Sequence, residues 1–175
     1  GETDDAGEVR RLVRDFTINS RTDLDNFLMN HPEAAGRYMD LDLHYLPLAG
    51  ASALRRLLPL LNASKDPQQV RVIPMSELTA AMVKDNNVVY VGYLSGLGLL
   101  REPVFAGSRF KVGESYDELI DTKAGKTYES DAGRMAPTGR SYLDYGYLSA
   151  FPGPGDGRIV VIAGTRDVAV VQTAE

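Results

Sequence analysis

Two short segments set glycine beside hydroxyl residues directly after strongly apolar runs: Gly92-Tyr-Leu-Ser-Gly-Leu-Gly98 and Ala163-Gly-Thr-Arg-Asp167. Where a strand hands over to a helix, backbone N–H groups lack partners and the helix dipole is positive, which suits a phosphate or carboxylate. Ser95, Gly96, Thr165 and Arg166 are therefore the candidate ligand-binding residues. Arg166 would add a full charge and a planar fork of donors. The competing role is purely structural: Ser95, and Thr165 or Asp167, as N-caps, with the glycines permitting tight turns. Neither segment is a Walker loop, and G-x-G-x-x-G does not occur.

Catalytic sets are incomplete. Ser95 lies between Gly92 and Gly96, not in the G-x-S-x-G spacing of a nucleophile elbow. A serine nucleophile also needs a general base, and the only histidines, His31 and His44, lie upstream. Asp40-Leu-Asp-Leu-His44 would line two carboxylates and an imidazole along one face of a strand, a pattern able to hold a divalent metal. Its D-x-D opening is similar to that of haloacid-dehalogenase-type phosphatases. The residues before it, Ala-Ala-Gly-Arg-Tyr38, do not form the apolar strand of that family, and no downstream Lys and Asp-Asp complete its set. The expectation is no catalytic residue, no metal and no cofactor, with Asp40, Asp42 and His44 on the wet face of a strand. A hydrolase using Ser95 or the Asp40/Asp42 pair is the enzymatic alternative. The nine tyrosines, with Tyr142, Tyr145 and Tyr147 clustered, read mainly as packing residues.

Bulk properties narrow the function class. With 175 residues, 43% apolar and 25% charged, the chain is long and apolar enough to bury a core rather than remain disordered. A net charge of -5 without an overriding basic cluster argues against nucleic-acid binding, because Asp4, Asp5, Glu8 and Asp15 dilute Arg10, Arg11 and Arg14. No apolar run is long enough to span a membrane as a helix. Absence of cysteine removes thiol chemistry, disulfides and Cys-ligated zinc, and leans the expected compartment toward the periplasm or another extracytoplasmic space. Both ends read as cut edges, so the chain is expected to be a fragment with flanking domains.

The elements that must position these residues alternate. Val9, Leu12, Val13 and Phe16 have helical spacing over 5–18, and a second helix follows Thr22 and stops at Pro32. These form an N-terminal helical arm over 1–38. From 39 to 175 a single α/β domain is expected. Its strands are 39–46, 69–73, 88–94 and 158–163, and the intervening helices are capped at Ser52 and Ser76. The second half turns to hairpins: short strands at 110–112, 116–120 and 126–128, and a pair at 143–151 and 158–163 across Pro152-Gly-Pro-Gly-Asp-Gly157. The expected fold is α/β, a three-layer sandwich with a mixed, mainly parallel central sheet and antiparallel additions in the C-terminal half.

Arg158-Ile-Val-Val-Ile-Ala-Gly-Thr-Arg-Asp167 and its continuation to Glu175 resemble the closing strand and helix of an α/β domain found in bacterial winged-helix regulators and membrane-tethered sensors. Tyr90-Val-Gly-Tyr-Leu-Ser95 resembles its central strand and turn. Over 39–175 the order of elements resembles one lobe of a periplasmic-binding-protein-like or flavodoxin-like domain. That resemblance implies a non-catalytic sensory or regulatory domain of a larger bacterial protein, binding a small anionic molecule at the strand-end turns. A structural interaction module without a small-molecule ligand is the third alternative.

Overall fold

The computed structural model describes residues 2–3, 9–11, 13, 15, 18, 21–41, 46–63, 70–113, 115, 118–131 and 142–175. The chain divides into two compact units, Gly1–Tyr45 and Leu46–Glu175.

In the first unit β1 (Glu2–Thr3) pairs antiparallel with β2 (Val9–Arg11). The helix expected over 5–18 is therefore not formed at 9–11. Two of its four apolar positions, Val9 and Val13, are β-branched and lose rotamer freedom in a helix, so a ladder partner outweighs the pattern. Next comes α1 (Arg21–Asn30), which begins one residue before the expected cap Thr22 and carries Asp23 in its first turn, where the dipole favours it. Pro32 opens a 3-10 turn, Pro32–Ala34, so the helix stops where the sequence implied. Phe27 stacks on His31 with ring centroids 4.6 Å apart. Residues 39–41 are not a strand, and 42–45, including Asp42 and His44, lie outside the described residues.

The second unit opens with α2 (Leu48–Leu61), which starts four residues ahead of Ser52, with Pro47 at the N-cap position. Its fully buried residues are Ala49, Gly50 and Ala53, because small side chains let the helix lie close to the sheet. Residues 70–73 run irregularly into Pro74 instead of forming the expected strand. Thr79, not Ser76, caps α3 (Ala80–Asp85), its Oγ1 accepting from the Met82 N–H at 3.2 Å.

The central sheet has the order β3 (Val88–Tyr93), β8 (Arg158–Gly164), β7 (Gly146–Pro152). β3 runs parallel to β8, with Val88 opposite Ile159 and Tyr93 opposite Gly164. β7 runs antiparallel to β8, from Gly146↔Gly164 to Pro152↔Arg158, which is the expected long-looped hairpin. A second sheet is the antiparallel meander β4 (Phe110–Val112), β5 (Glu118–Asp121), β6 (Lys126–Glu129). The fold is thus mixed α/β, and its one parallel pair among the described residues is β3 with β8. Its turn Thr122–Gly125 is held by Asp121, whose Oδ1 accepts from the N–H groups of Lys123 and Ala124 at 3.1 and 3.0 Å. Arg109 Nε lies 3.2 Å from the buried Asp121 Oδ2, a charge contact without hydrogen-bond alignment.

Strand alternation separates two apolar clusters. Tyr90, Ile159, Val161, Ala163 and Tyr147 join Val83, Leu94, Leu97, Leu100, Val104 and Leu119 on one side. Val89, Val91, Val160 and Ile162 face Ala49, Ala53 and Leu57 of α2 and Val170 and Ala174, at the chain's end, on the other. β8 is apolar at every position from Ile159 to Ala163 because both its faces are covered.

Candidate functional site

Because β3 and β8 are adjacent and parallel, the turns that follow them leave the same edge of the sheet. Neighbouring strands lie about 5 Å apart, so Ser95–Gly96 and Thr165–Arg166 start from adjoining positions. The two turns are built differently.

After β3 the chain makes 3-10 turns at Leu94–Gly96 and Gly98–Leu100, and only then α4 (Arg101–Phe105). The helix start expected at Ser95 is therefore displaced to Arg101. The cause is packing: Leu94, Leu97 and Leu100 are fully buried at a spacing of three, the period of a 3-10 helix. The glycines have an internal explanation. The buried Tyr90 hydroxyl donates to the Tyr93 carbonyl at 2.6 Å. A Cβ on either Gly92 or Gly96 would come within 3.0 Å of that hydroxyl. Burial pushes the Tyr90 phenol well above its usual pKa. Ser95 is half-buried beside this arrangement.

After β8, Thr165 is only 2% exposed. Its Oγ1 donates to Asp144 Oδ1 and accepts from the Tyr145 N–H at 3.0 Å. Its own N–H donates to the Tyr145 carbonyl at 2.9 Å. The other carboxylate oxygen of Asp144 accepts from the Ala169 N–H at 2.8 Å, in the first turn of α5 (Asp167–Thr173). Asp144, from the segment before β7, is thus the N-terminal cap of α5, in place of Thr165 or Asp167. Asp167 Oδ1 accepts from the Tyr93 hydroxyl, a second tie between the ends of β3 and β8. Arg166 is half-buried at the N-cap position in extended backbone.

The turns carrying Ser95 and Gly96 and Thr165 and Arg166 thus leave adjacent strands at the same edge, and Asp144 and Asp167 add two carboxylates there. Sequence reasoning missed Asp144 and the hydrogen-bonding roles of the Tyr90 and Tyr93 hydroxyls. Asp144 leaves no local signal, since it lies 21 residues from Thr165. Tyr90 was legible as a core strand residue, and the glycines two and six positions on were the trace of its hydroxyl.

Catalytic alternatives find little support in this arrangement. His31 Nδ1 contacts Glu33 Oε1 at 3.2 Å within the first unit. Asp40 is exposed, and Asp42 and His44 lie outside the described residues. Among the described residues no group of three or more His, Cys, Asp or Glu side chains could hold a metal ion. Two surface clefts among the described residues, of about 440 and 220 Å³, lie elsewhere, one at Lys84, Asp85 and Gly155–Gly157, the other between α4 and β4. Tyr147 packs against Phe105 and Phe110, and Tyr145 lies edge-on to Tyr128 at 5.3 Å, so these tyrosines serve packing. No helix among the described residues is long and apolar enough to cross a membrane. Comparison with protein-family models, with curated proteins and with solved structures finds no match to this chain.

Proposed function

We propose that this chain is a non-catalytic sensory or regulatory domain of a larger bacterial protein, and that a small anionic ligand engages it at the carboxyl edge of β3 and β8. The observation that carries this reading is the register Tyr93↔Gly164, from which both turns emerge side by side. Ser95 and Gly96 supply a hydroxyl and backbone N–H groups, and Arg166 supplies charge. Its guanidinium has five donors, so protein contacts and a ligand can share it. Thr165 belongs to the scaffold, since its hydroxyl is spent on Asp144 and Tyr145. The layered arrangement, with α2 and α5 on one face of the central sheet and α3, α4 and the meander on the other, is part of the same proposal.

A second reading, an interaction module with no small-molecule ligand, draws support from Asp144 and Asp167, which already place carboxylates where an external anion would approach. Thermal unfolding with inorganic phosphate, citrate and nucleotides separates the two. A ligand at a hundred times its dissociation constant stabilises by about 2.7 kcal/mol, a rise on the order of 5–10 °C for a chain of this size. The sensory reading expects such a rise for at least one anion and its loss in Arg166→Ala. Unchanged melting with every anion supports the module instead.

A further inference from the structure

Asp156–Gly157 is the one Asp-Gly step in the sequence, and Asn-Gly does not occur. It lies in the turn from β7 to β8, at the opposite end of β8 from Thr165. An Asp-Gly step permits a reaction that bulkier neighbours hinder. With no Cβ on the second residue, its amide nitrogen has open access to the aspartate carboxyl carbon. Both reacting groups are available here. Asp156 is exposed, and among the described residues no hydrogen bond or ion pair reaches its carboxylate. The Gly157 N–H has no partner there either, and only the Gly157 carbonyl is used, by the Gly153 N–H at 2.8 Å. Asp121 and Asp144 differ on both counts. Asp121 accepts from Lys123 and Ala124 and precedes Thr122, whereas Asp144 accepts from Ala169 and precedes Tyr145. The cleft of about 440 Å³ lined by Lys84 and Asp156 opens the step to water.

We infer that Asp156 is a site of spontaneous isoaspartate formation, and that the change releases this turn from the end of α3. The Gly157 nitrogen gives up its proton and bonds to Asp156 Cγ, and a carboxyl oxygen leaves as water. The five-membered imide then takes up one water at either of its carbonyls. One opening restores aspartate, and the other routes the main chain through the former side chain. Isoaspartate therefore has the same composition, one extra carbon in the main chain and its carboxylate on Cα. The fold leaves that carbon no room. The turn is closed by the bond from Gly153 to Gly157, and the Arg158 N–H is held by Asn87 Oδ1 at 2.9 Å. A Cβ on Gly155 would collide with the Lys84 carbonyl, and one on Gly157 with the Asn86 carbonyl. A main chain lengthened between these two glycines loses that fit, and with it the Gly153–Gly157 bond.

Prolonged incubation of the folded chain at neutral pH, beside a free peptide spanning Ala150–Val160, tests the site. Peptide mapping with fragmentation that separates isoaspartate from aspartate should find isoaspartate at Asp156 in both, and in the chain at Asp156 before any other aspartate. Methyl transfer by an isoaspartate-specific carboxyl methyltransferase is a second readout. It should fall in Asp156→Glu, whose imide would need a six-membered ring, while that variant keeps the charge and melts like the wild type. Absence of isoaspartate at Asp156 in the folded chain overturns the inference, and conversion of the peptide alone would place the protection in the fold. Earlier conversion at another aspartate, or methyl acceptance unchanged in Asp156→Glu, overturns it as well. Amide exchange tests the release of the turn. Gly153 should exchange faster in the isolated isoaspartyl form, and unchanged exchange there overturns that half of the proposal.

Discussion

Tyr90 shows how one hydroxyl can determine its neighbours. Its bond to the Tyr93 carbonyl closes the end of β3, and Gly92 and Gly96 leave room for it. Tyr90→Phe should cost about 1 kcal/mol near neutral pH, the net worth of one hydrogen bond. The folded-state pKa of this phenol is raised above the unfolded value near 10.0. Its contribution is therefore complete below that pH and is lost as pH climbs toward the folded value. Denaturant titrations of wild type and Tyr90→Phe should converge as pH rises beyond about 10, the usual tyrosine range. A gap that stays constant or widens would remove Tyr90 from this role. Gly96→Ala should destabilise the wild type more than it destabilises Tyr90→Phe, because the added methyl meets the hydroxyl.

Among the elements, α5 depends most visibly on a distant residue. Seven residues are too few for a helix to persist alone, so packing of Ala169 and Val170 and the cap from Asp144 must hold it. Asp144→Ala leaves the Ala169 N–H without its acceptor and leaves the buried Thr165 hydroxyl only the longer bond to the Tyr145 carbonyl at 3.4 Å. The expected loss is about 1–3 kcal/mol, or several degrees in melting temperature. Amide exchange at Ala169 should accelerate in the same variant, while the β3–β8 ladder stays protected. Exchange unchanged at Ala169 would mean that another group caps the helix. In α2 the buried residues are Ala49, Gly50 and Ala53, because the closest helix approach needs the smallest side chains.

For the whole molecule, the two apolar clusters found among the described residues are built from residues 49 onward. One consists of Val83, Tyr90, Leu94, Leu97, Leu100, Val104, Leu119, Tyr147, Ile159, Val161 and Ala163, the other of Ala49, Ala53, Ile162, Val170 and Ala174. A fragment spanning 46–175 should therefore fold cooperatively and melt within a few degrees of the full chain. A fragment that is expanded and lacks near-ultraviolet dichroism would show that the first unit contributes to folding of the second.

The sequence by itself determined those features whose cause is local or periodic. The continuous apolar runs at 88–93 and 159–163 demanded burial on both faces, and that identified β3 and β8. The Pro-Gly turn at 152–157 made the β7–β8 hairpin legible, and Thr122 to Gly125 likewise marked the β5–β6 turn. The glycine-hydroxyl turns were visible as well, and their shared edge follows once β3 and β8 are known to be parallel neighbours. What tertiary structure alone decided is partnership. Residues 70–73 have strand composition but no ladder. Val9–Arg11 have helical spacing but find Glu2–Thr3. Ser95 lies within a 3-10 turn rather than at a helix start because three leucines must reach one core. Thr165 serves Asp144, a residue that local pattern could not connect to it. Periodicity reports which face of a segment prefers to leave water, but which neighbour receives that face is a property of the assembled chain.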